Sequence, residues 1–163
     1  ACSAARFCAD LLVATGFAAA MVFEHPAGND DAAVRALLAH PAHMGGSDGI
    51  YIGRFPHPRG YGAFARFLGR HVRELRDWDW PDAVAHLATR PAARFRLPHR
   101  GAVRRGQIAD LVVVDPDLVS DKADYGKPHE LAVGIDDVLV AGVPVLSGGA
   151  LTGARPGMPL MPN

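Results

Sequence analysis

The chain reads as an α/β protein with a β-rich tail, and three features of its sequence predict this. Helical and strand-like segments alternate from Ala4 to Gly49 with short connections, the pattern of a parallel sheet with crossover helices. Two amphipathic helices then follow. Past about Arg100 the pattern changes to short β-branched runs with no helix between them. A doubly wound sheet or a (β/α)8 barrel fits the first part. Two strands close neither, so part of the sheet is expected to be missing.

The elements follow in order. Ala4 to Thr15 has Phe7, Leu11 and Leu12 at helical spacing and Gly16 as a stop. The chain enters this helix directly, with no capping segment ahead of it. Phe17 to Phe23 is a continuous apolar run of the length of a buried strand. Glu24 to Asn29 is a loop. Asp30 or Asp31 can cap a helix that runs to about His40, with Val34, Leu37 and Leu38 inward and Pro41 behind it. Met44 to Gly49 reads as a short strand ending in an acid between small residues. Gly53 to Gly62 is a loop dense in proline and glycine. Phe64, Phe67, Leu68, Val72 and Leu75 then form one apolar helical stripe. A further helix starts near Asp79, with Pro81 in its first turn and Val84, Leu87 and Ala88 inward, and runs on through Thr89 to Phe95. Gly101 to Gly106 is a turn region. Ala109 to Val114 is a strand ended by Asp115-Pro116. Val138 to Ala141 and Val143 to Leu146 flank Gly142, a hairpin signal.

Composition narrows the function. Of 163 residues, 49% are hydrophobic and 21% charged, enough to build a core and too apolar for wholesale disorder. Basic and acidic residues number 17 each, so charge provides no ground for nucleic acid or an anionic membrane as partner. The longest apolar run, Phe17 to Phe23, is far too short to span a bilayer, and no signal-like segment opens the chain, so a cytoplasmic protein is expected. Cys2 and Cys8 are too few for a disulfide framework, lack zinc spacing, and read as small apolar helix residues. The start at Ala1 without Met points to a processed chain or a fragment.

Asp48 is the first candidate for chemistry. An acid at the C-terminal end of a parallel strand sits where barrel enzymes place catalytic groups, and its glycine neighbours allow close approach. The alternative is an Asp that caps the following turn. Arg59 and His57 are next, in a loop stiffened by Pro56 and Pro58. A fixed guanidinium can grip a carboxylate through two parallel hydrogen bonds. The alternative is pairing with a local acid. Among the other histidines, His40 and His43 form a weak metal pair or, more simply, surface residues at a helix end. His71 and His86 read as packed helix residues. His25, just after a barrel-like strand, could face an active site.

One resemblance joins these segments. His40-Pro41, Met44-Gly45-Gly46-Ser47-Asp48-Gly49 and Pro56-His57-Pro58-Arg59-Gly60-Tyr61-Gly62 resemble the N-acyl-D-amino-acid deacylases, a branch of the metal-dependent amidohydrolases. Thr89 to Phe95 resembles a helix of that family, with Arg96 where glycine is usual. Arg100-Gly101, Gly106 to Asp115, Tyr125 to Pro128, Gly134-Ile135 and Val138 to Gly142 continue the likeness. The Ala-Asp-Leu-Val-Val stretch and the last hairpin mark only the broad class. Gly-Ser-Asp-Gly with His-Pro-Arg at this spacing is specific to the deacylases.

The resemblance implies a C-terminal fragment of a (β/α)8 barrel, residues 1–98, and C-terminal strands of a small β-sandwich, residues 99–163. It implies an enzyme that hydrolyses N-acyl-D-amino acids with one or two zinc ions. Asp48 is implied as the base that takes a proton from water and passes it to the leaving amine. Arg59 is implied as the clamp on the substrate carboxylate, with His57 and Ser47 as weaker substrate contacts. The family's metal ligands lie upstream of the segments present, so no metal ligand is expected in this chain. Its expected partners are an N-acyl amino acid and the missing N-terminal portion of the same enzyme, and the isolated chain is expected to be inactive. The rival readings are a hydantoinase- or dihydroorotase-like cyclic amidase and a non-catalytic, partner-binding piece.

Overall fold

A cap absent from the sequence-based expectation starts the first helix. In the computed structural model, which describes residues 2–19 and 30–161, α1 spans Ala4–Ala14 and Ser3 accepts a hydrogen bond from the Arg6 N–H. A serine hydroxyl three residues from an orphan donor is a sufficient cap. Cys8 lies in α1, half-buried, whereas Cys2 precedes the helix and is exposed. Most of the strand expected over Phe17 to Phe23, and His25, lie outside the described residues.

The second helix, α2, spans Asp31–Leu38 and is capped by Asp30, whose carboxylate accepts the Ala32 N–H. Val34 and Leu38, one turn apart, face the core, but Leu37 is 69% exposed. The inward stripe is thus narrower than the apolar pattern predicts. A long rod follows. The α3 helix, Arg59–Arg66, continues without interruption into a π-helical stretch over Phe67–Glu74. A second rod comprises α4, Trp80–Val84, a π-helical turn over Ala85–Thr89, and α5, Arg90–Arg94. A reciprocal box starts it: Asp79 accepts from the Asp82 N–H and Asp82 accepts from the Asp79 N–H. Phe64 and Val84 stand exposed and Ala88 faces solvent, while Ala83, His71 and His86 are buried.

The core lies between α2 and the two rods. Leu38, Val72, Trp78 and Ala83 form it, with Val34, Phe67, Leu68 and Leu87 packed against them. Trp78 donates from Nε1 to the Leu38 carbonyl at 3.3 Å and stacks on His86, ring centroids 4.6 Å apart. Beside it, Asp77 accepts from His71 Nδ1 at 2.8 Å and pairs with Arg35 at 2.6 Å. Burial pushes the Asp77 carboxyl up, but hydrogen bonds from Arg35 and His71 and the charges behind them hold it below the ordinary carboxylate value. His43 is not the surface residue the sequence suggests. It is half-buried, its ring against Phe67, Trp78 and His86.

Met44 to Gly49 is irregular and belongs to no sheet among the described residues. Its ladder-like bond is Gly45 N–H to the His86 carbonyl, 3.1 Å. A parallel strand takes its hydrogen bonds from neighbours on both sides, and the described residues supply none. The sheet that does form is antiparallel, with strands β1, Leu111–Val114, β2, Ile135–Val140, β3, Val143–Ser147, and β4, Ala150–Leu151, in sequential order. The hairpin forms where expected: Ala141 and Gly142 both have positive φ, 51° and 81°, the primed geometry that matches strand twist.

Two glycines seven residues apart dock the tail on the first rod. A Cβ on Gly62 would meet Asp121 Cβ at 2.8 Å, and one on Gly69 would meet the Val119 carbonyl oxygen at 2.6 Å. Val119 is fully buried there, and Arg73 Nη1 donates to its carbonyl at 2.8 Å. No helix among the described residues is long and apolar enough to cross a membrane.

Arg96 has φ 52°, the left-handed conformation at the end of α5, at the position where the resemblance leads one to expect glycine. A side chain costs about 1 kcal/mol there. Arg96→Gly is expected to raise the thermal midpoint by a few degrees, since relief of this strain outweighs the added freedom of the unfolded chain. A lower midpoint in calorimetry would show that Arg96 contributes contacts that outweigh its backbone strain.

Candidate active site

The candidate residues sit on two irregular segments held close together. Asp48 lies in the irregular stretch after His43 and has φ 45°. Asp is one of the few non-glycine residues that tolerates this conformation, and such backbone is enriched where a side chain must be aimed. Its side chain is 82% exposed. Ser47 lies before it and accepts the Gly49 N–H at 3.3 Å, a local turn bond.

Arg59 is the first residue of α3 and folds back onto Asp48. Its Nη2 lies 2.7 Å from Asp48 Oδ2, and its Nε donates to the Asp48 carbonyl at 2.8 Å. Of the two uses that the sequence allowed for this arginine, pairing with a local acid is the one seen here. Two of its five N–H donors are occupied in this way, which leaves three to bind an anion. His57 is fixed between Pro56, which is buried, and Pro58. Its Nδ1 accepts the Arg59 backbone N–H at 3.1 Å and its Nε2 lies 3.1 Å from Tyr125 Oη. Burial lowers the His57 pKa, the Arg59 charge lowers it further, and Asp48 opposes them.

His57 and Arg59 border a cleft of about 480 Å³ between the first rod and the tail. His57, Arg59, Phe67, His71, Asp121 and Tyr125 are among its walls. Arg66 and Asp121, paired at 3.1 Å, bridge its two sides. Asp48, Ser47, His57 and Arg59 are thus neighbours. Tyr125 and the Arg66–Asp121 bridge were not foreseen. The sequence separations are 68 and 55 residues, and no local pattern connects them.

The described residues do not fit a zinc ion. Among those described, no three His, Cys, Asp or Glu side chains converge. Asp48 is engaged by Arg59, and His57 Nε2 by Tyr125. His43 and His86 do approach, Nδ1 to Nδ1 at 3.3 Å, but Arg90 Nη1 sits 2.8 Å from the same His86 Nδ1, a cation where a metal would stand. Burial, then His86, Arg90 and His71, hold the His43 pKa below its ordinary value.

Residues 3–146 match the model of the amidohydrolase family, and the chain belongs to that family. It is 42% identical over 128 residues to the D-aminoacylase of Alcaligenes xylosoxydans xylosoxydans, covering 78% of this chain and 26% of that protein. A solved D-aminoacylase structure, described for the functional role of its binuclear metal center, superposes with a TM-score of 0.78 at 40% identity over 81% of this chain and 28% of its own. The N-acyl-D-glutamate deacylase of Bordetella bronchiseptica, solved with zinc and a phosphonate mimic of the tetrahedral intermediate, superposes with a TM-score of 0.70 at 40% identity, over 77% of this chain and 28% of its own. The chain therefore spans about a quarter of the length of the relatives it matches.

Proposed function

We propose that this chain is the C-terminal portion of an N-acyl-D-amino-acid deacylase. Residues 1–98 form the end of its (β/α)8 barrel and residues 99–163 the C-terminal share of a β-sandwich. The observation that carries this reading is the Asp48–Arg59 pair, 2.7 Å apart beside a cleft of small-molecule size. A base and a carboxylate-binding cation within reach of one small substrate are what hydrolysis of an acylated amino acid requires.

Asp48 takes the proton of the attacking water as the C–O bond forms. It returns that proton to the nitrogen as the C–N bond breaks, leaving a carboxylate and a free amino acid. Its exposed, unburied carboxylate suits a group that must meet both water and amine. Arg59 grips the α-carboxylate with its remaining donors and orients the D centre. Ser47 and His57 border the same pair and shape its surroundings. The zinc of the parent enzyme belongs, on this reading, to residues outside this chain. The exposed apolar residues Phe7, Leu37 and Val84 suit a chain whose helices pack against the rest of a barrel.

The test is a substrate profile of the complete enzyme. N-acyl-D-amino acids are expected to be hydrolysed at least about a hundredfold faster than their L forms and than cyclic ureides, since a misplaced reacting centre loses about that factor. Preference for hydantoins or dihydroorotate would select the cyclic-amidase reading instead.

A further inference from the structure

One side chain of the tail reaches the site and has no part in the mechanism above. Tyr125 projects from a tight turn in which Asp124 Oδ1 accepts the N–H groups of Gly126 and Lys127, at 2.8 and 2.6 Å. The next proline, Pro128, is buried, so the turn is held at both ends. Its hydroxyl lies 3.1 Å from His57 Nε2, and the rings meet edge to face, centroids 5.3 Å apart. The other nitrogen of His57 accepts the Arg59 N–H. An accepting Nδ1 carries no proton, so the ring hydrogen sits on Nε2 and is donated to the tyrosine oxygen. The lowered pKa of His57 favours the same neutral ring. A continuous series of hydrogen bonds therefore runs from Tyr125 through His57 to the backbone of Arg59, at the first turn of α3.

We propose that Tyr125 is a positioning residue for substrate binding: through His57 it sets the placement of the Arg59 clamp. The tail thereby contributes to recognition of the substrate carboxylate, although it contributes no reacting group. This inference rests on the deacylase reading and on Arg59 as the clamp.

The experiment uses the complete enzyme with an N-acyl-D-amino acid. Tyr125→Phe keeps the ring and removes the acceptor. It is expected to raise KM about fivefold, the worth of one hydrogen bond of ordinary strength, with kcat within about twofold. His57→Asn retains an acceptor for the Arg59 N–H and loses the reach to Tyr125, so it is expected to raise KM similarly. The double variant is expected to match the single ones, because the two residues act as one series. Additive effects would mean that Tyr125 touches the substrate itself, and an unchanged KM with a lowered melting point would mean a purely structural contact. Either result overturns the proposal. Arg59→Lys serves as the internal reference. If its KM is raised while Tyr125→Phe is silent, only the relay falls. If its KM is unchanged, the clamp falls and the relay with it.

Discussion

Replacing Asp48 by asparagine in the complete enzyme is expected to lower kcat by at least about a thousandfold, within the range for loss of a positioned proton carrier. Asparagine is the informative substitution because it also tolerates the backbone at φ 45°, so the fold is left in place. Alanine at the same position adds backbone strain to the chemical loss. Arg59 still holds the Asp48 carbonyl through Nε in either variant, so the clamp is not set free. KM is therefore expected to change little, and metal content is expected to persist, because Asp48 is not a zinc ligand on this reading. A pre-steady-state and metal analysis of the variant checks all three. Turnover near the parent level would remove Asp48 from the mechanism.

The second large effect is expected at Arg59. Arg59→Lys retains the charge but offers a single ammonium in place of the fork. Arg59 already spends two donors on Asp48, one on the carbonyl and one on the carboxylate, and has others for the substrate. A lysine cannot satisfy both at once. KM for an N-acyl-D-amino acid is expected to rise about tenfold or more, the loss of one charge-assisted hydrogen bond, with a smaller fall in kcat. An acyl amine without the carboxylate is expected to show no such loss. Equal effects on both compounds would place Arg59 outside carboxylate recognition and leave it as the partner of Asp48.

The pairing of Arg59 with a local acid was legible in the sequence as one of two uses because it is local. A Gly-flanked acid and a proline-stiffened arginine lie eleven residues apart, and the chain has little freedom in which to separate them. The caps at Asp30 and Asp79 and the hairpin around Gly142 were legible for the same reason. The helices of the two rods were legible as helices and in part in their faces: Phe67, Leu68, Val72 and Leu87 pack in the core as their stripes placed them. Val84 and Ala88 are exposed and Ala83 and His86 are buried instead, because which side of a rod is covered depends on what packs against it. Met44 to Gly49 has the residues of a strand but lacks a ladder, because a strand is completed by its neighbours.

By itself, the sequence determined the starts of α2 and of the second rod, the turns, the tail hairpin and the amidohydrolase likeness. Each of these depends on groups within a few residues of one another, or on a motif carried in the chain. Tertiary structure decided that Arg59 rests on Asp48, that His43 turns inward onto Trp78 and His86, and that Tyr125 meets His57 across 68 residues. It also decided that Gly62 and Gly69 admit the tail against the first rod. Such contacts arise when separate elements are packed against each other, and no periodicity along the chain encodes which side chains will then touch.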